Sequence, residues 1–282
     1  PMGENLQKEL SKMIDYNDLS ERAKRIRRNI VKMIYKAQSG HLGGSLSCVD
    51  ILTALYFGRM NVDPEDPKKY DRDRFVMCKG HSSPAIYATL ADRGYLLEEE
   101  LYGFRQINED LQGSPDMLRV NGIDMSTGSL GQGLSTACGM ALASKLDDID
   151  YNVYALLGDG ELQEGMVWEA AMFANQYKLD NLLAIVDMNG LQIDGTTDEV
   201  MSLGSIAKKF TSFGWYVLEI DGHDFDQIFG AFNTFEKISS KPVLVIANTI
   251  KGKGVSFMEN ACEWHSNVPN EAEYKLAMEE LR

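Results

Sequence analysis

Two side chains, thirty residues apart, could hold a metal ion. Asp159 sits in Gly158-Asp159-Gly160, at the end of the apolar run Val153 to Leu157. Asn189 sits in Asp187-Met188-Asn189-Gly190, at the end of a second run, Leu182 to Val186. Their oxygens are hard donors, suited to Mg²⁺ or Ca²⁺ and not to zinc. The glycines beside Asp159 let backbone N–H groups approach an anion, and a helix starting after Gly160 favours negative charge there. The chemistry implied is a divalent cation with a diphosphate. Asp and Asn also excel in plain turns and caps, so these two positions alone leave that reading open.

Three of the four histidines, His41, His81 and His265, fall in glycine- or serine-containing loops, each after a helix or a strand. Histidine is the natural proton carrier near neutral pH, so these three are candidates for acid–base work if the loops share one edge. His223, in Asp221-Gly222-His223-Asp224, reads instead as a turn before a helix. Gly128-Ser129-Leu130-Gly131-Gln132-Gly133 has the look of a phosphate loop but contains no GxGxxG, and no apolar strand precedes it, so a Rossmann site is not indicated. Neither is a P-loop, since GxxxxGK[ST] is missing. Lys251-Gly252-Lys253-Gly254 follows a strand and reads equally as a phosphate contact or a solvated turn.

For these residues to meet, strand ends must share an edge. Residues 18–38 carry helical apolar spacing, with the basic run Lys24, Arg25, Arg27, Arg28 read as a solvated face. Gly40 to Gly44 reads as a flexible loop, with Ser45 or Ser47 capping the helix after it. Residues 75–77 read as a strand, 85–93 and 97–107 as helices, and 112–133 as a long functional loop opening into a helix. Beyond 189 come a helix at 201–213, a strand at 215–220, a helix at 225–238, a strand at 242–247, a loop at 251–269 and an acidic helix at 270–282. Alternating strands and helices predict one α/β domain over 1–282, with a mainly parallel sheet flanked by helices on both faces. In such folds ligands bind at the carboxyl edge of the sheet.

The composition narrows the partners. Forty-two acidic against 28 basic residues give a net charge of −14, which argues against nucleic acid and anionic membranes, since both need a basic face. No apolar run approaches the roughly 20 residues of a membrane span, and the start, PMGENLQKEL, lacks a signal core. Its first two residues read as a cloning remnant. Cys48, Cys78, Cys138 and Cys262 lack CxxC spacing and read as buried reduced thiols of a cytoplasmic protein.

Taken together, the motifs carry a resemblance. Gly158-Asp159-Gly160 followed by Asn189 resembles the thiamine-diphosphate motif, and the surrounding sequence resembles transketolase. Ser39-Gly40-His41-Leu42-Gly43-Gly44, Lys79-Gly80-His81, Thr127 to Gly133, Ile193-Asp194-Gly195, Asp221-Gly222-His223 and Trp264-His265 match in order and spacing, from about residue 20 to 269. The resemblance implies a thiamine-diphosphate-binding fold whose cofactor breaks the C2–C3 bond of a ketose and passes a two-carbon ketol unit to an aldose. It implies that Asp159 and Asn189 ligate Mg²⁺ or Ca²⁺ by side chain and Leu191 by its carbonyl. Gly160 would face the diphosphate, His81 and His265 would lie on its side of the cofactor, and Gly128, Ser129 and Leu130 would line the cleft. His41 would contact sugar hydroxyls and His265 would reach the substrate. By the same resemblance His41, His81 and His265 would form the catalytic set, with His41 or His265 taking the proton from the C3 hydroxyl. Glu164 would lie at a subunit contact.

Three departures qualify the match. Ser114, in Gly113-Ser114-Pro115-Asp116, stands where the family usually has a histidine that contacts the donor, so the usual donor is in doubt. Ser266 replaces a glycine. The chain is also less than half a transketolase and lacks the half that activates the aminopyrimidine. It is expected to be the diphosphate-binding subunit of a split enzyme, completed by a pyrimidine-binding chain in an α₂β₂ heterotetramer. The alternatives are the same chemistry on a modified donor, such as a deoxy or sulfonated sugar, and a non-catalytic interaction subunit.

Overall fold

Apolar runs bounded by polar turns become parallel strands because both faces of each run find helices to cover them. A computed structural model describes residues 14–282; the expected remnant and the polar start lie outside the described residues. In chain order the strands are β1 (Arg74–Met77), β2 (Val153–Gly158), β3 (Leu182–Met188), β4 (Leu191–Gln192), β5 (Gly195–Thr196), β6 (Tyr216–Asp221) and β7 (Val243–Asn248). Five form one sheet in the order β1-β2-β3-β7-β6, and every neighbouring pair in it is parallel. β4 and β5 form a separate two-residue hairpin. The register aligns Val153 with Leu182 and Gly158 with Asp187, so β2 and β3 end together.

The helices are α1 (Tyr16–Ala37), α2 (Leu42–Ser47), α3 (Val49–Ala54), α4 (Ser83–Arg93), α5 (Gln132–Leu146), α6 (Gly165–Gln176), α7 (Thr197–Met201), α8 (Ile206–Ser212), α9 (Phe225–Phe235) and α10 (Glu271–Glu280). Alternate strand residues split between two cores, as a period of two requires. Tyr154, Leu156, Leu183, Ile185, Val243 and Val245 pack with α1, α3, α4 and α9. Val153, Ala155, Leu157, Leu182, Ala184 and Val186 pack with α5, α6 and α8. The expected α/β class with helices on both faces is therefore the one observed. The crossover through α6 leads from β2 to β3, whereas that through α9 leads back from edge strand β6 to β7 on the opposite face. That reversal of strand order opens a crevice at the carboxyl edge. Among the described residues no helix is long and apolar enough to cross a membrane.

Several expected elements differ. The glycine segment after α1 is not a flexible loop: Leu42 to Ser47 form a buried helix. A Cβ on Gly43 would lie 2.8 Å from Lys251 Cγ, so glycine here permits close packing. Neither serine caps α3, since Ser45 Oγ donates to the His41 carbonyl (2.6 Å) and Ser47 Oγ to Asp187 (2.7 Å). Residues 97–107 form only a 3₁₀ turn, Glu98–Gly103, and the left-handed backbone at Arg105 (φ 57°) prevents a helix from continuing. The helix expected at 201–213 is only α8, Ile206–Ser212, which starts after Gly204 (φ 59°) with Ser205 as N-cap; the short α7 before it ends at Met201. After Gly160 comes a 3₁₀ turn, Gly160–Gln163, and α6 starts only at Gly165.

The basic run on α1 is a solvated face only in part: Lys24 pairs with Glu21 at the surface. Arg25 pairs with Asp92, Arg28 donates to the Leu281 carbonyl, and Arg27 is buried in a two-point pair with Asp50 (2.7 and 3.1 Å). His223 joins this pair through Nδ1, 2.7 Å from Asp50, while its Nε2 accepts from Ile250 N–H (2.9 Å). Beyond its turn, it therefore tethers the start of α9 to α3 and the loop after β7. Burial opposes charge on Asp50, but Arg27 and His223 hold it down at about 2. All four cysteines are free, three buried and Cys262 half-buried.

Candidate active site

Four parallel strands deliver residues to one cleft of about 400 Å³. β1 leads to Lys79 and His81, β2 to Asp159 and Gly160, β3 to Asn189 and Leu191, and β7 to Lys251, all of which line it. His41, just before α2, Gly128 and Leu130 of the long loop, Glu164 and His265 complete the wall. Two expected residues stand apart. Ser129 does not line the cleft, and Ser114 sits behind Gly128, where an added Cβ would lie 2.7 Å from the serine Oγ.

Asp159 is buried, and its carboxylate accepts from Gly160 N–H (2.8 Å) and Gly190 N–H (2.6 Å). Burial, then the charge of Asp187, pushes its carboxyl up to about 6. Asn189 Nδ2 donates to Asp187 (3.1 Å) while Oδ1 accepts from Leu191 N–H (3.2 Å), so Asp187 fixes which way the amide points. Asp159 carboxylate, Asn189 amide oxygen and Leu191 carbonyl are all hard oxygens, and a buried anion lacking a full counter-charge is what a divalent cation relieves. Among the described residues no cluster of three His, Cys, Asp or Glu could hold a metal.

Behind Asn189 lies a buried network that sequence reasoning misses. Asp187, fully buried, accepts from Lys79 Nζ (2.6 Å), Ser47 and Thr249, and Lys79 also donates to the Gly44 carbonyl (2.6 Å). Burial opposes both charges, yet each partner wins: the carboxyl is lowered and the ammonium raised. The local signal is slight, an acidic residue inside an apolar strand and a lysine after another. Lys251, for which a phosphate contact and a solvated turn were equally expected, is buried and no solvated turn. Its Nζ donates to the Leu191 carbonyl and lies against His265 Nδ1, both at 3.0 Å.

The three loop histidines form a triangle, with ring centroids 5.2, 5.3 and 5.3 Å apart. Burial, with nearby cations, lowers all three: His41 beside Arg105, His81 well below its usual value beside Lys79, and His265 to about 4 beside Lys251. They are therefore neutral at pH 7. The unfolded chain protonates His265 near 6.5 but the folded chain only near 4. Between these values the unfolded state binds more protons, so stability is lost as pH falls from about 6.5 towards 4. Melting temperatures recorded from pH 7.5 to 4.5 are expected to fall less steeply for His265→Gln than for the wild type.

Comparison with known proteins adds a family. Residues 19–281 match the transketolase, thiamine diphosphate binding domain. The chain is 49% identical over 255 residues to one of the subunits of the apulose-4-phosphate transketolase of Phocaeicola vulgatus, covering 90% of each. It is 46% identical over 264 residues to the 6-deoxy-6-sulfo-D-fructose transketolase subunit SqwG of Clostridium sp., covering 94% of this chain and 96% of that one. The crystal structure of transketolase from Campylobacter jejuni superposes with a TM-score of 0.89 at 35% identity, over 95% of this chain but 43% of that one.

Proposed function

The chain belongs to the transketolase family, in its thiamine-diphosphate-binding part, and from that premise we propose that it is one subunit of a split transketolase. It moves a two-carbon ketol unit from a ketose donor to an aldose acceptor once a second chain, carrying the pyrimidine-binding half, completes the site. We take 1–282 as a single diphosphate-binding domain and the assembly as α₂β₂. The observation that carries this reading is the meeting of the oxygen set Asp159, Asn189 and Leu191 with the triangle His41, His81 and His265 in one cleft.

Thiamine diphosphate with its divalent cation supplies the carbanion chemistry when bound. Asp159, Asn189 and the Leu191 carbonyl would hold the cation. The Gly160 wall, Lys251 and His81 would receive the diphosphate, whose charge suits an ammonium and neutral imidazole donors. His41 or His265, neutral at pH 7, would take the proton from the donor's C3 hydroxyl as the C2–C3 bond breaks and return one to the acceptor. Glu164, exposed at the rim, would meet the second chain. The four free thiols suit a reducing cytoplasm.

Ser114 favours a second reading of the donor. It packs closely behind Gly128, so a larger side chain at this position would press on the cleft wall. The relatives named above are named for apulose-4-phosphate and 6-deoxy-6-sulfo-D-fructose, so a ketose altered from the usual phosphate is a reasonable donor here. The test is ketol transfer by the chain alone, by the reconstituted two-chain complex, and by the complex with His265→Ala, over ordinary, branched and sulfonated ketoses. Transfer is expected only from the complex and is expected to be lost in His265→Ala. Full activity of that variant sinks the assignment, and a complex that never binds thiamine diphosphate would favour a non-catalytic role.

A further inference from the structure

Helix α5 starts without a cap of its own. Its N-cap is Gly131, which has no side chain, its first turn holds no acidic residue, and no local side chain accepts a hydrogen bond from its start. The first four N–H groups of a helix have no partner within it. The Gly131 N–H is nevertheless satisfied, by Glu161 Oε1 at 3.0 Å from the 3₁₀ turn after β2. The other oxygen of the same carboxylate accepts from Gly158 N–H, the last residue of β2, at 3.1 Å. Glu161 thus does from another element what the third helical residue does in a capping box, and it does so while tied to the strand that leads to Asp159.

The two groups it joins both line the cleft, Gly128 and Leu130 from the loop and Gly158, Asp159 and Gly160 from the end of β2, as does Glu161 itself. The walls are also in close contact, since a Cβ on Gly131 would lie 2.6 Å from Glu164 Cβ. Gly131 has φ 87° and ψ −21°, a left-handed conformation that needs glycine. The turn therefore cannot carry its own Ser, Thr or Asp cap at low cost. Glu161 is 3% exposed, so its two hydrogen bonds are shielded from water.

We infer that Glu161 is a positioning residue: its carboxylate pins the loop 128–131 to the end of β2 and so sets the gap in which thiamine diphosphate is held. The cofactor part of this statement rests on the proposed function; the clamp itself does not.

Hydrogen exchange followed by mass spectrometry on the full chain without cofactor tests the clamp. Glu161→Gln keeps the size but offers one acceptor where there were two. Exchange in peptides covering 127–134 is expected to rise about tenfold or more, with peptides of β3 and β7 unchanged. In the two-chain complex the half-saturating thiamine diphosphate concentration is expected to rise about tenfold. Glu161→Asp keeps the charge but is one methylene shorter, so it should reach only one N–H, giving an intermediate rise; it also serves if the glutamine variant does not fold. Unchanged exchange at 127–134 in the variants overturns the inference. Failure of the wild-type complex to bind the cofactor overturns the functional reading and leaves the exchange result intact.

Discussion

Replacing Asp159 with asparagine is expected to remove metal-dependent thiamine diphosphate binding from the assembled complex while the chain stays folded. The carboxylate does two jobs in the structure. It ties its own turn to that of Asn189, through Gly160 N–H and Gly190 N–H, and it brings the charge that a divalent cation needs. Asparagine keeps the shape but presents one acceptor and an NH₂, so one of these N–H groups would face a donor. An unsatisfied buried donor costs about 1–3 kcal/mol. The same substitution removes a buried charge whose carboxyl burial pushes up to about 6, which offsets part of that cost. Binding has no such compensation. Altering the partners behind metal ligands costs about 10–100-fold in affinity, so altering a ligand itself should cost at least about a hundredfold. Titration of the complex with cofactor at fixed Mg²⁺, beside calorimetry of the same variant, separates the two effects. Affinity within threefold of wild type would remove Asp159 from the metal set.

The parts legible in the sequence are those where one local pattern has one physical cause. Apolar runs such as Val153 to Leu157 end in glycine and an oxygen donor because a parallel strand must be apolar on both faces until it reaches the ligand edge. That logic places Asp159 and Asn189 at one edge, and the register of β2 on β3 brings their strand ends level. Patterns with two physical causes mislead. Gly43 reads as flexibility but serves close packing against Lys251. Arg27 reads as surface charge but finds Asp50 from twenty-three residues away. Glu161 could not be singled out at all, because its partner Gly131 lies thirty residues before it and advertises nothing. The long-range polar contacts that hold the edge in shape leave only a stray charge in an apolar context as their trace.

Lys79→Met is expected to be the most destabilising single change at this edge. The side chains of Lys79 and Asp187 are 2% and 0% exposed, so neither charge has water to fall back on. Methionine removes the counter-charge and leaves Asp187 with only the hydroxyls of Ser47 and Thr249 and the Asn189 amide. Breaking such a pair from one side costs about 3–5 kcal/mol, which for a chain of this size lowers the melting temperature by about 10 °C. Removing both charges is a different matter, because a neutral pair of similar volume escapes the desolvation penalty. Lys79→Met combined with Asp187→Asn should therefore recover much of the loss, even though it removes one more charged group. It should not recover metal binding in full, since the Asn189 amide would then be held by a neutral neighbour. Melting curves of the two variants and the wild type decide the point. A single variant that melts within about 2 °C of wild type, or a double variant less stable than the single, contradicts a coupled pair, and Asn189 would then need another anchor.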